Sequence, residues 1–206
     1  LLNIDADALI TSYVAAQPGM AQAVSTGFAT LVHHLAADDK LSDVRFAAYM
    51  LATVKHECAG AWQPIEESGK GAHHPYGVPV QVQDSDGTTY LNTYYGRGYV
   101  QLTWKMNYDR SGRAIGLGNA LVLHPEHALE PETAYTIMSF GMRTGLFTGK
   151  KLSDYIHGDV CDYRDARRII NKLDRADLIQ GYAVDFEKRL REVAQPAAAA
   201  ASVGGS

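Results

Sequence analysis

Residues 43–59 form a helical stretch that is apolar nearly all the way round: Phe46, Ala47, Ala48, Tyr49, Met50, Leu51, Ala52 and Val54 leave no face for water. A helix of this kind has to be covered on every side, so the segment predicts a central, buried helix wrapped by others. Ser42 offers an N-cap, Asp43 places a favourable charge in the first turn, and Gly60 ends the run. The apolar run is far shorter than the ~20 residues of a membrane span. It therefore reads as a core element, and no direct membrane insertion is expected. The chain has 206 residues, 46% of them hydrophobic and 20% charged. That is enough apolar material for one folded domain, or one domain split into two lobes, and it excludes a disordered chain.

The surrounding pattern supplies the covering helices. Apolar residues at helical spacing predict helices over 5–16 and 20–37, separated by the breaker cluster Gln17-Pro18-Gly19. From residue 60 the character changes. Val78, Val80 and Val82 alternate with other residues, Asp84-Ser85-Asp86-Gly87 supplies a turn, and residues 88–91 return, predicting an irregular β-hairpin. Helical patterning resumes over 103–115, 132–147, 152–156, 163–171 and 174–193, with Pro131 at the first turn of the second of these. The Ala/Gly/Ser-rich residues 194–206 read as a disordered tail. The expected fold class is mainly α (α+β). Residues 1–193 form a single catalytic domain of lobes around a central cleft, with a small β/loop lobe over about 60–102.

Charge and cysteine usage narrow the function. The net charge is −4, which argues against a nucleic-acid partner held by bulk electrostatics. The two cysteines, Cys58 and Cys161, are too few for a disulfide framework. Cys58 lies in an apolar helical stretch and reads as a buried free thiol. No basic region followed by an apolar run opens the sequence, so synthesis in the cytoplasm without a signal peptide is expected.

The chemistry-bearing residues are carboxylates. Glu57 follows His56 at the C-terminal end of the buried helix. The helix dipole there and a neighbouring apolar wall both disfavour the ionised form, which suits a general acid. Glu66 and Glu67 follow Pro64 in a non-helical segment. Two carboxyls in different environments across a cleft is the arrangement of a glycosidase. Residues 94–104, Tyr-Tyr-Gly-Arg-Gly-Tyr-Val-Gln-Leu-Thr-Trp, are the most distinctive run. In an extended chain Gln101 and Thr103 face the same side. A phosphate-cradling reading of Gly96-Arg97-Gly98 fails, because position 101 is Gln where a third glycine is needed. Nor is a metal or cofactor expected. His56-Glu57 lacks the second histidine of a zinc protease, Gly60 standing in its place, and the adjacent pairs His33-His34 and His73-His74 do not aim at one ion. Asp84-Ser85-Asp86-Gly87 has its glycine too early for a calcium loop. Cys58 with His73 or His74 could suggest a cysteine amidase, but a nucleophilic thiol favours a helix N-terminus and Cys58 sits near a C-terminus.

Four segments in this order, Lys55-His56-Glu57, Gln63-Pro64-Ile65-Glu66-Glu67, Tyr95 to Trp104 with Asn107-Tyr108, and Arg168-Ile169-Ile170-Asn171, together resemble glycoside hydrolase family 19. This is a chitinase-like family with a lysozyme-like helical fold. Within it the chain looks most similar to bacteriophage-type endolysins, over about residues 40–193. The resemblance implies that Glu57 is the general acid and Glu67 the base that activates a water, with Glu66 as the alternative. It implies that Thr103 helps to hold that water, and that Gln101, Asn107, Asn171 and Arg175 line the cleft. Arg97 reads as a structural tie for its loop. An inverting mechanism is expected.

The interval from Glu57 to Glu67 is ten residues, shorter than in plant chitinases, and disulfides are absent. That tilts the expected substrate to peptidoglycan, with an endochitinase as the alternative and a non-catalytic glycan-binding protein as the reading from another class. A monomer acting at the cell wall after holin-type release is implied. Finally, the 12 tyrosines against 5 Phe and 2 Trp are unevenly placed: Tyr76, Tyr90, Tyr94, Tyr95, Tyr99 and Tyr108 fall in or beside the non-helical stretch. A tyrosine can stack on a sugar face and hydrogen-bond at its tip, which predicts a glycan-binding wall that includes Tyr95. At least half of these tyrosines are expected to stiffen the lobe instead.

Overall fold

The computed structural model describes residues 2–196. Its centre is helix α3 (Val44–Glu57), in which every residue from Ala47 to Val54 is buried. Asp43 caps it by accepting from the Arg45 N–H at 2.9 Å. The Arg45 guanidinium closes back on the same carboxylate at 2.6 Å. The long C-terminal helix α7 (Ala176–Val193) packs along α3. Its buried residues Ala176, Ile179, Ala183, Phe186 and Leu190 recur at alternating intervals of three and four, so one stripe faces α3 while the rest of the helix is wet.

Helices α1 (Ala6–Ala15) and α2 (Gln22–Ala37) complete this side. Tyr13 of α1, Phe28 of α2, Trp62 from the loop after α3 and Phe186 of α7 meet in one aromatic cluster. The Tyr13–Phe28 ring centroids are 4.2 Å apart, and Trp62 lies edge-on to Phe28 at 4.9 Å. Four separate elements thus converge on one apolar point. Strand β1 (Leu2–Ile4) is joined antiparallel by Ala194–Pro196. Residues 194–196 fall in the stretch whose composition predicts a disordered tail. Their backbone is instead satisfied by β1, and the rest of that tail lies outside the described residues.

The β/loop lobe holds β2 (Ile65–Glu66), β3 (Val80–Gln83), β4 (Thr89–Asn92) and β5 (Arg97–Gly98). β3 and β4 form the predicted hairpin, with Val82 paired to Tyr90. β2 pairs antiparallel with β5. After this lobe come α4 (Lys105–Ala114), α5 (Ala120–Leu123) and α6 (Pro131–Thr144). The short α5 escaped the periodicity. It is held from outside: the Asn92 amide donates to the Val122 and Leu123 carbonyls at 2.9 and 2.7 Å, and the Tyr94 hydroxyl donates to Val122 at 2.8 Å. Helix α6 stops three residues short of its predicted end because Gly145 turns into the left-handed region at φ 83°. The segment predicted as a helix over 163–171 contains only a 3-10 turn, Asp165–Ile169. Two further short strands, β6 (Ile156–His157) and β7 (Val160–Cys161), precede it, and Ala194–Pro196 is β8. No helix among the described residues is long and apolar enough to cross a membrane.

One polar knot ties α2 to α6. Asp38 accepts from the hydroxyls of Tyr135 (2.9 Å) and Ser139, and from the Lys40 N–H at 2.9 Å. Burial pushes its carboxyl up, but these donors and the nearby Arg143 charge outweigh burial and hold it below the ordinary carboxylate range. A carboxyl whose folded value is depressed stabilises the fold above its unfolded value of about 3.9, and that contribution is lost as pH falls through the folded value. Asp38→Asn is therefore expected to lower the melting temperature by about 5 °C at pH 7, taking about 2 kcal/mol for charge-assisted hydrogen bonds. The gap between variant and wild type should close as melting curves are taken toward pH 2.

Candidate active site

Glu57 is the last residue of α3, which brings its carboxyl to the edge of the core. It meets a charged partner there. The Arg167 guanidinium donates from Nη1 to Glu57 Oε1 at 2.5 Å, and from Nε to the Asp174 carbonyl at 3.0 Å. The Arg167 side chain is 2% exposed and that of Glu57 15%. Arg167 was absent from the sequence-predicted set. Its neighbour Arg168, named with the Arg168–Asn171 segment, is exposed and pairs with Asp165. Asn171 and Arg175 flank this feature. The Asn171 N–H donates to the Arg167 carbonyl, and Arg175 occupies a left-handed junction (φ 56°) at the start of α7. Both side chains are exposed.

Glu66 and Glu67 are separated by strand geometry. Glu66 pairs with Arg97 in the β2–β5 ladder, and consecutive strand residues face opposite sides. Glu66 is occupied: Tyr95 donates its hydroxyl to Oε1 at 2.5 Å, Lys70 sits 2.9 Å from Oε2, and Arg97 Nε is 3.9 Å from Oε1. Hydrogen bonds from Tyr95 and Lys70, with the charges of Lys70 and Arg97, hold the Glu66 carboxyl below the ordinary range. Among the described residues, the hydrogen-bond donors to the Glu67 carboxylate are neutral. The Tyr76 hydroxyl reaches Oε1 at 2.8 Å and the Gly96 N–H reaches Oε2 at 3.0 Å, while the Glu67 N–H donates to the Gly96 carbonyl at 2.7 Å. Position 96 has to be glycine for this closeness. A Cβ there would stand 2.8 Å from Gln101 Oε1 and 3.2 Å from Glu67 Cβ. Tyr76, which holds Glu67, entered the sequence reading only as one of six tyrosines.

The 97–102 segment is not an extended strand. The Arg97 and Leu102 backbones bond each other at 3.2 and 2.9 Å, with Gln101 at φ 52° in the turn between. The alternation that aligned Gln101 with Thr103 therefore fails. The Gln101 amide instead laces the turn to β2, donating to the Ile65 and Gly98 carbonyls at 3.1 and 3.2 Å. Thr103 follows, half-buried. Its carbonyl accepts from Asn107 Nδ2 at 2.9 Å, and among the described residues its hydroxyl has no protein hydrogen-bond partner. Beneath the turn, the Arg97 guanidinium lies 3.6 Å from the Tyr95 ring centroid and donates to the Thr93 carbonyl and the Tyr108 hydroxyl, both at 3.0 Å. It is the internal tie expected of it.

Tyr94, Tyr95, Tyr99 and Tyr108 are all buried. The tyrosine-rich stretch is thus mostly packed inside the lobe, the Tyr95 ring lying against Arg97 and its hydroxyl donating to Glu66. Trp104 is exposed, with its ring 5.4 Å from Tyr76.

Cys58 connects the two carboxylate regions. Its sulfur lies 3.8 and 3.9 Å from the Gly98 and Tyr99 carbonyls, so the residue after Glu57 rests on the turn laced by Gln101. Burial, reinforced by the Glu57 charge, pushes its thiol up to about 12. That removes the thiolate a cysteine nucleophile needs. Among the described residues no group of three or more His, Cys, Asp or Glu side chains is placed to hold a metal ion.

Known proteins share this fold and part of this sequence. Among solved structures, chitinase C from Streptomyces griseus aligns with a TM-score of 0.55 over 92% of this chain and 76% of its own, at 17% identity. The class IV chitinase from Zea mays aligns at 0.52 over 90% and 92%, at 19% identity. These likenesses establish the mainly helical, lysozyme-like fold. An acidic 26 kDa endochitinase of Solanum lycopersicum is 35% identical over 91 residues, and an acidic endochitinase of Solanum chilense is 54% identical over 46. The matched segments span 31% and 16% of those relatives. The family model for chitinase class I matches residues 19–143, a span that runs through α3, the carboxylate loop and the glycine-bearing turn to α6. With that match over more than half of its length, the chain belongs to glycoside hydrolase family 19.

Proposed function

We propose that this protein hydrolyses β-1,4 links in N-acetylglucosamine-containing polysaccharide, with chitin-type polymers as its substrate and Glu57 and Glu67 as its acid and base. The observation that carries the reading is the anchoring of the Glu67 carboxylate, with Glu57 held at the end of the buried helix. Glu57 is backed by a buried guanidinium, whereas Glu67 is oriented through both oxygens by neutral donors and keeps lone pairs for a water. In the reaction, Glu57 gives its proton to the glycosidic oxygen as the C1–O bond breaks. Arg167 stabilises the carboxylate left behind. A water attacks C1 from the opposite face and passes its proton to Glu67, with the Thr103 hydroxyl helping to hold that water. Attack from the opposite face inverts the anomeric centre.

The names of the matched relatives support chitin over the expected peptidoglycan. The second reading, a peptidoglycan hydrolase of endolysin type, rests on the ten-residue interval between Glu57 and Glu67. Purified protein assayed side by side on an N-acetylglucosamine hexamer and on peptidoglycan sacculi decides between them. Turnover of the hexamer, with the α-anomer appearing first by NMR, is expected. Reducing ends released from sacculi alone would favour the second reading, and binding without turnover on either would return the protein to the glycan-binding class.

A further inference from the structure

Glu67 begins a loop that comes back to it. Over residues 67–77 the chain makes a chain of tight turns: Lys70 N–H to the Glu67 carbonyl (3.0 Å), Ala72 to Gly69 (2.9 Å), His74 to Gly71 (2.9 Å) and Gly77 to His74 (3.0 Å). Gly69, Lys70, Gly71 and His73 all sit in the left-handed region, at φ 82°, 49°, 75° and 69°. Lysine and histidine adopt this region at a cost, so the surrounding structure is holding the path.

The loop closes where two glycine backbones cross. A Cβ on Gly77 would stand 2.0 Å from the Gly71 carbonyl oxygen, and one on Gly71 would stand 2.7 Å from the Gly77 Cα. No side chain fits at either position. The crossing is locked to the rest of the lobe by the Tyr94 N–H, which donates to the Tyr76 carbonyl at 3.2 Å. What this closure delivers is the Tyr76 side chain. His74 stacks flat on its ring, with centroids 4.9 Å apart and planes 7° apart, and Trp104 meets the ring edge-on. The ring is fixed on two sides, and its hydroxyl ends 2.8 Å from Glu67 Oε1.

From this geometry we infer that the 67–77 loop is a clasp whose task is to aim Glu67, and that Tyr76 is its positioning residue. The inference rests on the reading of Glu67 as the base. Tyr76 holds one carboxylate oxygen and the Gly96 N–H the other, so the carboxylate is anchored at both ends and its rotation is fixed. Without the hydroxyl, Glu67 keeps a single anchor on Gly96 and its carboxylate is free to rotate about its own side-chain bonds. A base free to rotate still leaves the sugar-binding surface intact, so the loss falls on turnover and not on binding.

The test is Tyr76→Phe, which keeps the ring, its stack on His74 and its contact with Trp104. On the N-acetylglucosamine hexamer, kcat is expected to fall about tenfold with KM within twofold of wild type, at an unchanged melting temperature. Gly77→Ala, which forces the crossing apart, is expected to reproduce the kcat loss although its tyrosine is intact. If the wild-type protein turns over no glycan, the proposed function fails, and crystal structures of the wild-type protein and the Tyr76→Phe variant still decide the clasp. A Glu67 carboxylate swung away from Gly96 in the variant supports it. Wild-type kcat in Tyr76→Phe, or a Glu67 carboxylate unmoved in its crystal structure, overturns it.

Discussion

Glu57→Gln is expected to lower kcat on the hexamer by about 10³-fold, because an amide cannot supply the proton that the departing oxygen needs and general acid catalysis contributes on the order of 10² to 10⁴. Glu67→Gln should cost a similar factor, since its amide cannot take the water's proton. Glu66→Gln is the informative contrast. Glu66 faces the other side of β2 and is already engaged by Tyr95 and Lys70. Its replacement weakens the bracing of the loop, so a loss of less than tenfold is expected, with a lowered melting temperature. Steady-state kinetics of the three variants separate the assignments. If Glu66→Gln were the inactive one and Glu67→Gln retained turnover, the roles of the two carboxylates would be exchanged.

The second large effect concerns Arg167. It is nearly fully buried and pairs with a carboxylate that is itself mostly covered. Removing one partner of such a pair leaves the other charge without compensation in a poorly solvated site, which costs about 3–5 kcal/mol. Because Glu57 retains some contact with water, Arg167→Met is expected near the lower end, about 3 kcal/mol, read by urea denaturation at neutral pH. Adding Glu57→Gln to Arg167→Met should recover part of that loss, because a neutral amide does not demand the missing guanidinium. A double variant less stable than Arg167→Met alone would contradict the pairing argument. Activity is expected to fall in Arg167→Met as well, since the carboxylate formed after proton transfer loses its counter-charge.

The sequence revealed the elements whose local pattern and tertiary role agree. The all-apolar face of α3 demanded a central position, and the alternating valines with an Asp-rich turn demanded the β3–β4 hairpin. Where tertiary contacts decide, the pattern was silent. Nothing in the pair Arg167-Arg168 says which guanidinium turns inward, because that depends on where the 3-10 turn at Asp165–Ile169 is laid against the end of α3. The left-handed Gln101 was illegible for a related reason: a glutamine gives no hint of positive φ, and its conformation is repaid by two carbonyls, one of them distant in sequence. The tyrosines misled in a more instructive way. Their hydroxyls suggested contact with sugar, yet Tyr94, Tyr95 and Tyr108 use them to satisfy backbone and side-chain groups inside an irregular lobe that has little regular ladder to do so.

The pairing of β1 with β8 has a consequence for how such a domain is put to use. Leu2 stands opposite Pro196 and Ile4 opposite Ala194, so the first and last described strands lie side by side. A fold whose first and last strands are paired in this way could be set into a loop of another protein with little distance between its two points of attachment.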